Sequence, residues 1–280
     1  MTDDKKYLAG IVTFNPDIER LNENISAIIN QVDKVVVVDN GSENADDIKK
    51  ILARLSQITL IELDENKGIA KALNEIGSYA VTYQFDYFLT LDQDSVVLPG
   101  LIDAYSQYLD LSKIGMLNSY HKDRNIKENP DGLDSVSEKE LMITSATLMP
   151  TYLFNEGFTY DERLFIDKVD FDLNIRLRNA GYKLYEIPFY GLLHELGEIK
   201  THNLLGHQIQ TYNHSSFRRY YISRNTILLL KKFGFTKNTI GFLIGDMGKE
   251  IKTLIYEKDK YKKTKAVFKG WVDGFKYKMK

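Results

Sequence analysis

The sequence predicts an α/β protein built on a mostly parallel sheet, and three observations carry that expectation. Strand and helix signals alternate from residue 7 to residue 91. The strands are continuous apolar runs, as in a sheet covered on both faces. Polar residues recur at or just past the strand ends: Asn15, Asp39, Asn66 and Asp92. In open parallel sheets, ligands bind at that carboxyl edge.

Each element follows from its residues. YLAGIVTF (7–14) is a short apolar strand closed by Asn15-Pro16. Asp17 is placed to cap a helix over 18–31, in which Leu21, Ile25, Ile28, Ile29 and Val32 recur at helical spacing. KVVVVDN (34–40) is a β-branched strand closed by Gly41-Ser42, and residues 44–55 place Ile48, Ile51, Leu52 and Leu55 on one helical face. ITLIEL (58–63), GIAKALNEIGSYAVTY (68–83) and YFLTL (87–91) continue as strand, helix and strand. ELMITSATLMP (140–150) reads as a further strand, and HKDRNIKENPDG (121–132) as a polar surface loop turning at Pro-Asp-Gly. VDFDLNIRLRNAGYKLYEIP (169–188) reads as a helix, a glycine stop and a short strand. From about residue 215 onward the pattern is helical, so the expected organisation is an α/β domain over 1–215 and a helical, basic and aromatic region over 216–280.

Composition narrows the function classes. The 280 residues are 43% hydrophobic and 27% charged, which is ordinary for a globular chain. There is no cysteine, which excludes disulfides, thiolate nucleophiles and Cys-based zinc sites. The first residues lack a signal-peptide layout, and no stretch reaches the ~18 apolar residues of a spanning helix. No G-x-G-x-x-G follows the first strand, no G-x-x-x-x-G-K-[ST] occurs, and no G-x-S-x-G elbow is present. Dinucleotide-binding, P-loop and α/β-hydrolase readings therefore fall away.

The chemistry concentrates in FLTLDQDSVV (88–97), where a buried strand runs into Asp92 and Asp94. Two carboxylates in D-x-D suit a hard divalent cation. On the motif alone the alternative stays open: two solvated acids, with Asp94-Ser95 capping a helix near Pro99. Asp39 could equally form a tight Asp-Asn-Gly turn, and Asn66 and Gly68 could simply cap the following helix, whose N-terminus favours anionic or polar groups. Asp172 and Arg176, four apart on a helix, are expected to pair. Arg218, Arg219 and Arg224 share one helical stretch; Arg218 and Arg224 are candidates for bidentate phosphate contact, and Arg219 is expected on a solvated face.

Taken in order, TFNP (13–16), VVVVDNGS (35–42), ENKGIAKALN (65–74), LTLDQDS (89–95) and VDFDLNIRLRNAGYKL (169–184) resemble the inverting glycosyltransferases of family 2, with the GT-A fold. LLHELGE (192–198) and HSSFRRYYISRN (214–225) are similar to the rhamnosyltransferase branch, and the resemblance spans roughly residues 7–230. It implies that Thr13, Asn15 and Asp39 hold the nucleotide, that Asp94 ligates Mn²⁺ or Mg²⁺ with Asp92 meeting ribose or metal, and that His194 completes the metal or diphosphate site. It also implies a catalytic base at the start of the helix carrying Asp172 and Arg176. Val169 stands where many members have an acid, so the choice lies between Asp170, at the usual position, and Asp167.

The implied reaction is inverting transfer of L-rhamnose from dTDP-L-rhamnose to a glycan or lipid-linked glycan in bacterial surface polysaccharide synthesis. The alternatives are a UDP-sugar donor, UDP-galactofuranose included, or a catalytically silent scaffold subunit. A nucleotidyltransferase is disfavoured because TFNPDIER is no glycine-rich basic loop. The tail adds a partner. Residues 249–280 carry 11 lysines against 4 acids, interleaved with Tyr, Phe and Trp271, while the rest of the chain is net acidic. That pattern suits contact with the inner face of a cytoplasmic membrane, with a solvated helical hairpin packed on the catalytic domain as the alternative. Nucleic acid is not expected, since the tail has no arginine and follows no recognisable nucleic-acid module. A homodimer is compatible with the sequence.

Overall fold

The computed structural model describes residues 5–123, 135–194, 200–204 and 207–279. The chain divides into two compact units, Met1–Arg163 with Val169–Glu195, and Leu164–Lys168 with Leu196–Lys280.

The first unit opens with β1 (Tyr7–Thr13), α1 (Ile18–Ile28), β2 (Lys34–Asp39), α2 (Ala45–Leu52), β3 (Ile58–Glu62), α3 (Ile69–Thr82) and β4 (Tyr87–Asp92). These are the expected alternations, each within a few residues of its expected bounds. Asp17 caps α1 by accepting the Arg20 N–H at 2.9 Å. Leu21, Ile25 and Ile28 turn inward at helical spacing. Five of the six residues of β2 are buried, as a central strand covered on both faces requires.

The unit continues with β5 (Val96–Val97), α4 (Leu101–Ser106), β6 (Ile114–Asp123), β7 (Ser137–Lys139), β8 (Thr147–Pro150), α5 (Thr151–Asn155), α6 (Val169–Asn179) and β9 (Lys183–His194). Among the described residues the sheet runs β3-β2-β1-β4-β8-β6-β9-β5, with β7 beside β9. β3, β2, β1 and β4 are parallel neighbours. Beyond β4 the pairing is mixed: β8 is antiparallel to β4 and β6, while β6 and β9 are parallel. Residues 121–123, expected in a loop, extend β6; the rest of that expected loop, from 124 on, lies outside the described residues.

The strand expected over 140–150 shortens to β8. Ala146 takes a left-handed φ of 55° and is fully buried, which no regular strand accommodates. Its N–H donates to the Thr90 carbonyl at 2.9 Å, and its carbonyl accepts from the Tyr105 hydroxyl at 2.5 Å. Two long-range hydrogen bonds hold a backbone shape that local sequence does not favour.

The second unit holds the antiparallel pair β10 (Lys200–Leu204) and β11 (His207–Thr211), then α7 (Ser216–Phe233), α8 (Lys237–Tyr256) and α9 (Lys260–Lys276). Ser215 caps α7, and a Thr236–Thr239 capping box opens α8. α9 lies closely along α7. At Gly270 an added Cβ would fall 2.2 Å from Ser223 Oγ, so only glycine admits this approach.

Candidate active site

In the first unit, the carboxyl ends of β1, β2 and β4 gather most of the expected site residues. Thr13 Oγ1 donates to Asp39 Oδ1 at 2.9 Å, joining the ends of β1 and β2. Asp39 is only 2% exposed and also accepts from the Ser42 N–H (3.0 Å) and the Ser42 hydroxyl. Asn15, in a left-handed conformation with φ 48°, accepts the Glu43 N–H at 2.7 Å and donates its own N–H to Ser42 Oγ at 2.8 Å. Thr13, Asn15 and Asp39 thus belong to one connected turn system, with Ser42 at its centre. Ser42 has no assigned role in the sequence reading, although the DNGS string contains it.

Asn66 joins this system from the next crossover. Its Oδ1 accepts from Asn40 Nδ2 at 3.1 Å and from the Gly68 N–H at 3.0 Å. Gly68 has φ 89° and precedes α3. Gly41 (φ 78°) lies against the same loop, and an added Cβ would sit 2.5 Å from the Glu65 backbone carbon. Gly41→Ala is therefore expected to destabilise the protein by about 1–3 kcal/mol through left-handed strain and backbone overlap. Urea denaturation of the variant checks this.

β4 delivers the D-x-D pair. Asp92 and Asp94 are both exposed at its end. Gln93 between them is used structurally, its Oε1 accepting the Phe14 N–H at 2.8 Å. Asn24 of α1 donates to the Asp92 carbonyl at 2.7 Å, and buried Ser95 meets Ser145 Oγ at 2.6 Å. These side chains clamp the backbone of the turn on either side of the acids. Asp94 lines an open cavity of about 590 Å³ with Asp17, Glu19, Arg20, Glu23 and Gln93.

Among the described residues, no three carboxylates or histidines converge into a closed cation cage. The donor set nevertheless fits a magnesium-type ion. Such an ion takes one or two carboxylates and completes its shell with water and ligand phosphate oxygens. The antiparallel register Val97↔Leu192, Val96↔Leu193 runs toward Ser95 on one strand and His194 on the other. The backbone of position 194 therefore ends near the D-x-D turn. The His194 side chain lies outside the described residues, and so does the metal or diphosphate role expected of it.

Asp170 is the second residue of α6, half-buried, with Oδ1 accepting the Phe171 N–H at 2.9 Å. Its position is tied to the segment before β8 through Asn174, whose amide bridges the Asp170 and Met142 carbonyls at 2.7 and 2.8 Å. Tyr160 reports the surroundings. Burial pushes its hydroxyl well above the ordinary tyrosine range, hydrogen bonding to Thr90 opposes this, and the nearby Asp170 charge adds to it. The expected Asp172–Arg176 pair is present at 2.8 Å, with Asp172 fully buried.

In the second unit, Asp167 is held by Arg218 through contacts of 2.7 and 3.3 Å. Phe165, Asp167 and Lys168 all have φ near +60° (63°, 64° and 63°). This strained run is fixed by Asn225, whose Nδ2 lies 2.8 Å from the carbonyls of Leu164, Ile166 and Asp167. Arg224 stacks 4.7 Å over Tyr221 and reaches the Leu164 carbonyl at 3.3 Å. Arg219, expected on a solvated face, is instead 4% exposed and paired with Glu257 at 3.4 Å. Helical periodicity puts it on α7's inner face, and the acid that neutralises it lies 38 residues away in sequence. Asn225 lacks any local signal beyond its place in the SRN string.

A parallel β3-β2-β1-β4 half-sheet with a connected set of polar groups at its carboxyl edge, and an exposed D-x-D at the end of β4, defines a GT-A type glycosyltransferase. The comparisons with known proteins agree. Residues 9–136 match the family model described as "Glycosyl transferase family 2". The chain is 33% identical over 242 residues to the dTDP-rhamnosyl transferase RfbF of Shigella flexneri, covering 80% of this chain and 79% of that protein. The chain belongs to glycosyltransferase family 2. Its fold is similar to the crystal structure of S. aureus TarS 1–349, with a TM-score of 0.58 at 12% identity, covering 96% of this chain and 80% of that one.

Proposed function

We propose that this glycosyltransferase moves L-rhamnose from dTDP-L-rhamnose to a hydroxyl of a glycan or lipid-linked glycan, with inversion, in bacterial surface polysaccharide synthesis on the cytoplasmic side of the membrane. The observation that carries the donor is the 33% identity to a dTDP-rhamnosyl transferase over about four-fifths of both chains.

The residues supply a coherent division of labour. A carboxylate offers about four acceptor positions. Thr13 and Ser42 occupy three on Asp39, which leaves one for a ribose hydroxyl or a pyrimidine N–H. Asn15, Asn66 and Gly68 shape the adjoining backbone around the nucleotide. Asp94, with Asp92 and His194, would hold Mn²⁺ or Mg²⁺, which when bound neutralises the leaving diphosphate as a Lewis acid.

Asp170 accepts the proton of the acceptor hydroxyl. That oxygen then bonds to the anomeric carbon from the face opposite the diphosphate as the carbon–diphosphate bond breaks. Asp170 is preferred to Asp167 as the base because it stands in the first turn of α6, the position usual for the base in this family.

Calorimetric binding of dTDP, UDP and GDP, each with and without Mn²⁺ or Mg²⁺, tests the donor. Metal-enhanced preference for dTDP, followed by rhamnosyl transfer from dTDP-L-rhamnose, is the expected result. Preference for UDP keeps the mechanism and changes the donor. Binding of none of the three overturns the reading in favour of a silent scaffold.

A further inference from the structure

α8 is amphipathic in the wrong sense for a helix of a globular protein. Its buried residues are all polar: Thr239, Asp246, Glu250 and Thr253. The two acids have partners on other elements. Asp246 meets Lys168 at 3.5 Å and the Thr226 hydroxyl. Glu250 accepts from Thr264 Oγ1 at 2.5 Å, and Thr253 donates to the Lys249 carbonyl at 3.0 Å. At the C-terminal end, buried Glu257 meets Lys263 at 2.8 Å.

Six apolar residues of the same helix face outward. Ile240, Ile244, Met247, Ile251, Leu254 and Ile255 are 40–64% exposed. Their spacing makes one continuous stripe along a helix about 30 Å long. A surface helix ordinarily buries such a stripe, and a contiguous exposed one marks an interaction site.

Charge identifies the occupant. Turning Asp246, Glu250 and Glu257 inward removes every acid of residues 237–257 from the outer surface. Lys252 and Lys258 remain exposed beside the stripe. α9 repeats the pattern, with Tyr261, Phe268, Val272 and Phe275 exposed among Lys262, Lys265, Lys269 and Lys276. Residues 249–280 carry a net charge of +7, which would repel a second copy of the same surface. An anionic bilayer accepts both features, attracting the lysines and taking in apolar side chains to a shallow depth. No helix among the described residues is long and apolar enough to cross a membrane, so the contact is one of surface.

We infer that α8, with the outer face of α9, docks this enzyme on an anionic lipid surface. This does not depend on the donor and is tested without it. The experiment is co-sedimentation of the full chain with vesicles of phosphatidylcholine, with and without phosphatidylglycerol. The protein is expected to bind the phosphatidylglycerol vesicles, less strongly as salt is raised. The Ile244→Glu, Ile251→Glu double variant is expected to lose about tenfold or more of that affinity, because two apolar contacts are replaced by charges of the repelled sign. Its circular dichroism and thermal midpoint are expected to stay unchanged, since both positions are exposed. The milder Ile244→Ser, Ile251→Ser pair should move in the same direction. Failure of the unmodified chain to bind, or undiminished binding by the variants, overturns the inference. So does a solution dimer that the Glu variant converts to monomer, which would assign the stripe to a second copy.

Discussion

Replacing Asp94 with alanine is expected to lower sugar transfer by about 10³-fold or more, the scale of losing a group that stabilises charge on a leaving diphosphate. The fold should survive, because Asp94 is exposed at the end of β4 and the turn is held by its neighbours: Gln93 to Phe14, Asn24 to the Asp92 carbonyl and Ser95 to Ser145. The thermal midpoint should therefore match that of the parent protein. Calorimetry should show that added Mn²⁺ or Mg²⁺ no longer strengthens dTDP binding. Asp39→Asn gives a useful contrast. That carboxylate is buried and accepts from Thr13 and Ser42, so its loss should cost stability as well as binding. Undiminished turnover in Asp94→Ala would remove the metal assignment.

The second large effect concerns the proton. Asp170→Asn is expected to reduce kcat by about 10²- to 10⁴-fold, the usual contribution of a general base, with KM for the donor little changed. The substitution keeps the size of the side chain, and the backbone of the position stays tied through Asn174. Asp167→Asn should do less. It weakens a pair whose arginine is largely exposed, a change worth about 0–1 kcal/mol in stability. Steady-state kinetics of the two variants side by side decide the question. Arrested transfer in Asp167→Asn with normal turnover in Asp170→Asn would exchange the roles.

Much of the first unit was legible in the sequence because its signals are local. The buried runs of β1, β2 and β4, the Asp17 cap and the glycine stop before β9 depend on residues close together in the chain. The Asp172–Arg176 pair follows from a spacing of four on a helix. Other features are decided by partners far away in sequence. The run before β8 reads as strand, yet Thr90 and Tyr105 draw Ala146 into a left-handed turn. Arg219 reads as a surface charge until Glu257 is placed against it. The supporting amides of Asn24, Asn174 and Asn225 leave no periodic trace, because a buried amide is defined by the carbonyls it reaches.

α8 shows the difference most sharply. Its stripe of isoleucine, leucine and methionine is plain in the sequence, and periodicity alone would turn it inward. Lys168, Thr226 and Thr264 instead engage the acids on the opposite side, and the apolar face is left outside. By itself the sequence determined the α/β class, the order of the strands and helices through β4, and the acids that end β4, since each rests on short-range pattern and on the chemistry of residue types. Only the tertiary structure decided which carboxylates are buried and which are exposed, and which face of α8 meets the surroundings. Both depend on hydrogen bonds and ion pairs between residues that the chain brings together only on folding.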